Sequence, residues 1–459
     1  MKEYLINENI VRVIVNDQNI LLVDMTEKCY GQSKKITLVN SSCVHLLELL
    51  ENHSVKESIR ILYEEPDNLF SLEELEENVV TTIAQLVGEN VLLPNSDNNK
   101  IDNLPSSKLD CVPFGKIKGE LGKLRRPLIG VVEITSSCNC NCPHCYVKGL
   151  DSTKSISTEK IIEIASILQA HGIINVTLTG GEPLSHPDFK QIYLAYKEKG
   201  FLIDIFTNAL LINEELAELF ALYPPRSLDI TLYGTSNEEY EAFTGQKKGY
   251  DKLVHALDLL KAKGVFFSTK MILNKKNYSH IKDYNVLAKQ YGAPFRYNVV
   301  IGQGTNTMKD PEDLMLSAEQ IVDIEKNDPV KVKSFQAIVH NCNNLPYDCS
   351  EEEGWSQYVC GAGIDKVFIG YDGKMSPCMT LRRKGLDLFQ YGYDFIWNYW
   401  GEQRKVKLSQ EFKCMSCEFF PICTPCTEEF EQTNNSKEVP IEGVCELAKK
   451  RWKMFINNK

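Results

Sequence analysis

The sequence predicts an α/β protein: a partial (β/α)6 barrel of the TIM type, with a small α+β module ahead of it and a loop-rich domain behind it. Two observations carry that reading. Between residues 128 and 326, six strand-like runs each precede a run of helical periodicity, the pattern of a parallel sheet covered by helices. The chain also holds 16 cysteines in 459 residues, and none falls between Cys145 and Cys342. Two thiol-rich regions therefore bracket a cysteine-free middle.

Residues 1–95 read as the α+β module. NIVRVIVN and NILLVDM are rich in β-branched residues and are parted by an Asp-Gln turn, as two strands would be. SSCVHLLELLEN has helical spacing. SLEELEENVVTTIAQLVGEN begins with Ser71 and has Glu74 three residues on, a capping-box pattern ahead of a helix, and its glutamates read as a solvated face. VLLP closes the module. Residues 96–126 are dominated first by Asn, Asp, Ser and Pro and then by Lys and Arg, without any period, and read as a linker.

Residues 127–340 repeat one unit. LIGVVEIT, INVTLTG, FLIDIFTN, SLDITLYG, VFFSTKMIL and PFRYNVVI are the strands, each followed by a helical stretch. Gly172, Gly200, Gly264 and Gly292 stand where helices end. Six units fall short of the eight of a closed barrel, and chemistry in such folds sits at the C-terminal ends of the strands. Residues 341–459 have short runs and many turns. VFIGYDGKMSPC reads as a hairpin turning at Asp372-Gly373. The rest has too little periodic apolar sequence for a core of its own, so metal is expected to hold it together.

Composition narrows the function. With 43% hydrophobic and 25% charged residues the usage is ordinary for a globular chain. A net charge of -11 argues against a nucleic-acid partner, which would need a surplus of Lys and Arg. No run approaches the roughly 20 apolar residues of a membrane helix, and MKEYLINENIVRVIVNDQ lacks a signal-peptide core. The expectation is a cytoplasmic protein with no membrane partner. In a reducing compartment, so many thiols point to metal or redox chemistry rather than to disulfides.

The sharpest motif follows the first barrel strand: Cys138-Asn-Cys-Asn-Cys142-Pro-His144-Cys145. Three thiolates at CxxxCxxC spacing can hold three irons of a cubane cluster and leave the fourth open. Zinc remains the alternative on spacing alone. Cys140 lies one residue from a rival register and is read as a bystander. The second motif, Gly180-Gly181-Glu182-Pro183, ends the second strand. Glycines there admit close approach of a ligand to the backbone, and the carboxylate can grip an ammonium group. The third is C-terminal: Cys360-Gly, Gly373-x4-Cys378, Cys414-x2-Cys417-x5-Cys423-x2-Cys426, and Cys445. Paired CxxC steps alone would suit a zinc ribbon.

The cysteine loop and the GGEP step, one strand apart on one barrel rim, resemble the radical SAM superfamily across the whole middle third. The resemblance implies that Cys138, Cys142 and Cys145 hold a [4Fe–4S] cluster whose open iron binds S-adenosylmethionine. It implies that Gly180, Gly181 and Glu182 hold the methionyl amino group and that His144 sits by the adenine. Thr207, Asn208 and Thr231 are implied to line the cofactor. Families often carry Asn-Gly where this chain has Asn208-Ala209. The C-terminal cysteines resemble the SPASM extension, an iron–sulfur domain with two auxiliary [4Fe–4S] clusters. This chain has x2 between Cys423 and Cys426 where the family often has x3. By that resemblance Cys414, Cys417, Cys423 and Cys445 form one ligand set, and Cys360, Cys378 and Cys426 another that is one ligand short. Cys349 or Cys342 could complete it, or its open iron could bind a substrate thiolate, which is the reading favoured here.

Residues 1–95 resemble, in size, order and position, the recognition element that grips leader peptides of ribosomally made natural products by strand addition. The whole resembles sactipeptide- and ranthipeptide-type maturases. It implies a precursor-peptide partner with a leader, a reductant such as flavodoxin or ferredoxin, and a sulfur-to-carbon thioether crosslink as product, as in bacteriocin biosynthesis. The alternatives are a carbon–carbon peptide crosslink, a formylglycine-generating sulfatase maturase, or a non-catalytic iron–sulfur or zinc protein. A sulfatase maturase would be expected to show an extra Cys soon after Cys360, and none lies between Cys360 and Cys378. No acid–base pair stands out as catalytic. His45, His171 and His255 read as structural or solvated, Cys29, Cys43 and Cys111 as plain thiols, and Trp355, Trp397, Trp400 and Trp452 as packing residues.

Overall fold

The computed structural model describes residues 4–6, 10–16, 19–24, 36–66, 68–88, 91–94, 125–145, 147, 154–301, 313–340, 355–423 and 425–456. The chain divides into two compact units, residues 1–126 with 169–174, and residues 127–168 with 175–459. Cys29, Cys111, Cys342, Cys349 and nearly all of the expected linker lie outside the described residues.

The first unit holds β1 (Tyr4–Ile6), β2 (Ile10–Asn16), β3 (Asn19–Asp24), β4 (Ile36–Asn40), α1 (Ser41–Asn52), α2 (Val55–Glu64), α3 (Leu72–Gly88) and β5 (Leu92–Pro94). β2, β3 and β4 form an antiparallel meander, and β1 pairs with β5. Three elements were not legible beforehand, β1, β4 and α2. α3 starts at the expected capping box. Ser71 Oγ accepts from the Glu74 amide at 3.3 Å, and Glu74 Oε2 accepts from the Ser71 amide at 2.9 Å. Leu75, Val79, Ile83 and Leu86 then recur at helical spacing. They are buried with Leu46, Leu47 and Leu50 of α1, while the glutamates between them stay exposed.

The second unit is built on β6 (Ile129–Thr135), α4 (Thr158–Ala170), β7 (Asn175–Gly180), α5 (Phe189–Glu198), β8 (Leu202–Thr207), α6 (Glu214–Leu222), β9 (Ser227–Thr231), α7 (Asn237–Thr244), α8 (Gly249–Ala262), β10 (Ser268–Ile272), α9 (Ile281–Gln290), β11 (Phe295–Asn298), α10 (Ala318–Glu325) and α11 (Pro329–His340). β6 to β11 lie side by side in chain order, all parallel, so the expected partial barrel is present as an open α/β sheet. Gly172, Gly200, Gly264 and Gly292 all take positive φ, as helix-ending glycines do.

Alternation along the strands sorts the two faces. Val176, Leu178, Ile203, Ile205, Leu228 and Ile230 are fully buried, as side chains packed beneath covering helices would be. The intervening positions, Thr177, Thr179, Asp204, Phe206, Asp229 and Lys270, make a mostly polar inner face.

The C-terminal segment adds β12 (Lys366–Ile369), β13 (Lys374–Ser376), β14 (Leu386–Asp387), α12 (Leu388–Tyr391), α13 (Tyr393–Lys405), α14 (Thr427–Asn434) and α15 (Glu442–Phe455). The hairpin around Asp372-Gly373 forms as expected between β12 and β13, with Gly373 at φ +75. β12 also pairs in parallel with β6, so the barrel sheet continues into this segment as a seventh parallel strand. The expectation of too little apolar sequence for a core is corrected here. Trp355, Val359, Leu408, Phe412 and Phe430 make one buried cluster, and Val322, Phe335, Ile422, Ala448 and Phe455 another. Their residues are scattered along the chain, so no local period announces them. Trp355, Trp397 and Trp400 are buried, and Trp452 is packed against the second cluster. Among the described residues no helix is long and apolar enough to cross a membrane.

Candidate functional site

The cysteine loop leaves the end of β6 and is fastened from three sides. The Gly181 amide donates to Thr135 O and the Glu182 amide to Ser137 O, both at 2.8 Å, and Ser185 Oγ donates to Ser137 O at 3.1 Å. The Asn141 amide donates to Thr244 O at 2.8 Å, and Gln246 Nε2 to Asn139 O. From β8, Asn208 Nδ2 donates to Asn139 Oδ1 at 2.7 Å and reaches Cys140 Sγ at 3.6 Å.

The glycines are required by this seat. A Cβ on Gly180 would stand 2.1 Å from Thr135 O, and one on Gly181 2.2 Å from Ser137 O. Gly180 also has φ +141, a region that side chains avoid. The backbone these glycines admit is the chain's own. Glu182 is buried, and its carboxylate accepts from Thr207 Oγ1 at 2.6 Å, the Asn208 amide at 2.7 Å and the Leu184 amide at 3.1 Å. Burial pushes its carboxyl up to about 7 against those hydrogen bonds and the Lys270 ammonium. Its side chain thus locks the end of β8 to the turn. Ala209, where a glycine was expected, holds φ +63, the conformation that favours glycine.

His144 packs its ring 5.2 Å from that of Phe243 and 6.1 Å from that of Tyr233. Burial lowers its pKa to about 4, so it is neutral at pH 7, and its buried Nδ1 has no hydrogen-bond partner. A cavity of about 150 Å³ lies behind Tyr233 and Phe243, walled also by Glu239, Lys276, His280 and Tyr284. Thr231 is half-buried at the end of β9, in register with Lys270.

The thiols fall into groups. Cys138, Cys140 and Cys142 interact through their side chains. Contact with Cys140, then burial, raises the Cys138 thiol. Cys138 pulls the Cys140 thiol down, but Cys142 and burial take it up to about 12. Cys140 is thus placed among the expected ligands, where spacing had set it aside. The Cys145 amide donates to Cys142 O at 3.3 Å.

In the C-terminal segment, burial and then the neighbouring Cys423, Cys445 and Cys417 push Cys414 up to about 12. Burial and then Glu429, Cys360 and Cys378 push Cys426 up to about 12. Burial, with Cys360 nearby, raises Cys378. One set therefore holds Cys414, Cys417, Cys423 and Cys445, the other Cys360, Cys378 and Cys426. Arg404 fixes the second by donating to Cys360 O at 2.8 Å and Ala362 O at 2.7 Å. Among the described residues no three metal-binding side chains converge closely enough to hold one ion. A cubane takes its thiolates at separate corners, so spread groups of three and four thiols fit it.

Sequence reasoning missed Asn139, Thr244 and Gln246, which fasten the loop, and Lys270. The polar alternation of the strands was the available signal for Lys270. The declined His45 bonds Glu65 at 2.6 Å on the surface of the first unit, a structural role as expected.

Residues 132–288 match the family model of the radical SAM superfamily. The antilisterial bacteriocin subtilosin biosynthesis protein AlbA of Bacillus subtilis is 25% identical over 336 residues, covering 70% of this chain and 71% of its own. An AdoMet-dependent heme synthase of Methanosarcina barkeri is 24% identical over 316 residues, covering 64% of this chain and 89% of its own. The crystal structure of Streptococcus suis SuiB bound to precursor peptide SuiA shares the fold, with a TM-score of 0.60 at 18% identity over 96% of this chain and 99% of that one. With the cysteine loop and the glycine turn seated on one rim of a partial barrel, residues 132–288 are a radical SAM domain and the chain that carries it is an enzyme.

Proposed function

We propose that the enzyme matures a ribosomally made precursor peptide by joining a cysteine sulfur to a carbon of another residue. One observation carries the reading: among the described residues, seven C-terminal thiols sort into a group of four and a group of three, beside a radical SAM cysteine loop. Four thiols can fill the ligand positions of a cluster; three leave one position, which this reading gives to a thiolate of the substrate rather than to Cys342 or Cys349, both outside the described residues. The likeness to AlbA, named for biosynthesis of a bacteriocin, and the fold shared with peptide-bound SuiB support a peptide substrate.

In this reading Cys138, Cys142 and Cys145 hold a [4Fe–4S] cluster, and two auxiliary clusters occupy the C-terminal groups. The cluster, reduced with S-adenosylmethionine bound, supplies a hydrogen-abstracting radical. The chain positions and insulates. The Gly180–Glu182 turn and Asn208 keep the loop rigid. His144, neutral and with Nδ1 unsatisfied, offers an acceptor to the adenine amino group within an aromatic wall. Residues 1–95 take the leader, and a flavodoxin or ferredoxin supplies electrons.

The test is anaerobic co-expression with each short cysteine-containing reading frame beside the gene, followed by mass spectrometry. Loss of two hydrogens per link, with the thiols no longer alkylatable, is the expected result. Paired loss with thiols still free would replace the thioether with a carbon–carbon link. A reconstituted protein that yields no 5'-deoxyadenosine would sink the reading altogether.

A further inference from the structure

Each carboxylate of the inner face is held by direct hydrogen bonds. Asp204 accepts from Arg226 and from Asn175 Nδ2. Asp229 accepts from Arg296 and Ser268 Oγ. Glu182 is saturated by Thr207, Asn208 and Leu184. Lys270, on β10, makes no hydrogen bond or ion pair among the described residues. Its Nζ stands 3.0 Å from the centroid of the Phe206 ring. Phe206 is 40% exposed although it sits on a central strand, so its ring is open to the concave side of the sheet. A half-buried ammonium over an open aromatic face thus has no direct anionic contact, and Asp229, Asp204 and Glu182 act on it only at longer range.

We propose that Lys270 and Phe206 form a carboxylate-binding subsite that receives an acidic group of the peptide substrate. The proposal rests on the peptide reading above. The chemistry of the surroundings selects the ligand. An ammonium with no direct partner has room for one carboxylate. A polyanion such as a phosphate would face Asp204, Asp229 and Glu182, whose charges already act on Lys270. A carboxylate can meet the ammonium while the chain that carries it lies on the Phe206 ring. Burial lowers the lysine to about 8, so the ammonium is still the main form at pH 7.

Lys270 lies on a different strand from the turn after β7 but beside Thr231, which the resemblance gives to the cofactor, so the test below parts substrate from cofactor. The methionyl end of S-adenosylmethionine is expected at the turn after β7. β10 is three strands further on, about 14 Å along the sheet. Lys270 is in register with Thr231 and Arg296. There it would hold the peptide where it meets the reacting centre, and it would favour precursors with Asp or Glu near the modified carbon.

The test labels amines of the full chain with trinitrobenzenesulfonate at fixed pH and follows Lys270 by peptide mapping. The probes are acetyl-Ala-Ala-Asp-Ala-Ala-amide and its Asn counterpart, each with and without S-adenosylmethionine. The Asp peptide is expected to slow labelling of Lys270 by about fivefold, the effect of one ion pair. The Asn peptide should not slow it, and exposed Lys405 should label alike throughout. Lys270→Gln should erase the difference in affinity between the two peptides, and Lys270→Arg should keep it. Equal effects of the two peptides, or no effect of either, overturn the proposal. Protection by S-adenosylmethionine alone, with nothing added by the Asp peptide, assigns Lys270 to the cofactor and overturns it too. Labelling needs no turnover, so a failure here is distinct from a failure to make 5'-deoxyadenosine.

Discussion

Replacing Gly181 with alanine should push the cysteine loop off its seat. The new Cβ would lie 2.2 Å from Ser137 O, 2.6 Å from Ser137 C and 2.7 Å from Ser136 O. All three are backbone atoms, so no side chain can swing aside. Ordinary contact begins near 3.4 Å, which asks the loop to move by about 1.2 Å. The bonds from Gly181 N to Thr135 O and from Glu182 N to Ser137 O, both 2.8 Å, would open to about 4 Å and be lost. Two backbone bonds at about 1 kcal/mol each, with overpacking at about 1–3 kcal/mol, total about 3–5 kcal/mol of local stability. Hydrogen exchange read by mass spectrometry on the Gly181 and Glu182 amides measures this directly. Exchange should quicken by about 10²–10⁴-fold. Gly292→Ala is the control. Its Cβ meets nothing within 4 Å, and only its φ of +66 is strained, at about 1–2 kcal/mol. Exchange in Gly181→Ala within tenfold of the parent would refute the seat as the reason for the glycine.

Three further outcomes are expected. Cys414→Ser and Cys426→Ser should each remove the iron of one C-terminal group and spare the other, and Mössbauer spectra of the two variants should be complementary; identical losses would merge the groups. Cys349→Ala should leave the iron content unchanged if the three-thiol group is open, and lower it if Cys349 is a ligand. Glu182 titrates near 7 in the folded chain against an ordinary 4.5, because burial outweighs its hydrogen bonds. The folded state therefore keeps a proton that the unfolded state has released between those values. Its contribution to stability is full below about pH 4.5 and is lost as the pH rises through 7. Glu182→Gln should flatten that part of the stability profile in urea titrations, and an unaltered slope would assign the dependence to other groups.

The barrel was legible because each of its strands alternates or runs apolar between glycines, and each helix carries its own period. Cys138, Cys142 and Cys145 could be grouped from sequence because their spacing within one loop is local, whereas Cys360, Cys378 and Cys426 are far apart in the chain and were grouped only by resemblance. The helix over Asn237–Thr244 was hidden by its polar sequence, NEEYEAFT, which buries only Tyr240, Phe243 and Thr244. It matters, since Thr244 and the following Gln246 hold the cysteine loop. Asn208 could be placed on the rim from sequence, but not turned. Its amide points at Asn139 and Cys140 because the Glu182 carboxylate fixes its backbone, a contact 26 residues away in the chain. The pairing of β12 with β6 was equally out of reach, since more than 200 residues separate them and no crossover signal links them. Long-range polar contacts leave no periodic trace, and the loop's seat is made of little else.

That same pairing sets the level of Cys378 apart from the cysteine loop. Lys366 of β12 lies opposite Ile129 at the start of β6, and Cys378 lies close enough to Lys366 to feel its charge. The cysteine loop leaves β6 after Thr135. Six residues of strand, about 20 Å, thus separate the level of Cys378 from the root of the loop. A buried ion pair spans part of that gap. Glu133, two residues before Thr135, pairs with Arg382 in the turn after Cys378, and the guanidinium lies 5.1 Å from the centroid of the Phe368 ring. Both side chains are almost fully buried, and burial pushes the Glu133 carboxyl up even against Arg382. Breaking one side of such a pair costs about 3–5 kcal/mol, because the remaining charge has no water to return to. Arg382→Met should therefore destabilise the second unit by about that much, and Glu133→Gln with Arg382→Met should recover most of it. Urea midpoints of the single and double variants give the comparison. If the single variant is no worse than the double, Glu133 has met water, and the strand and the turn are not held together by this pair.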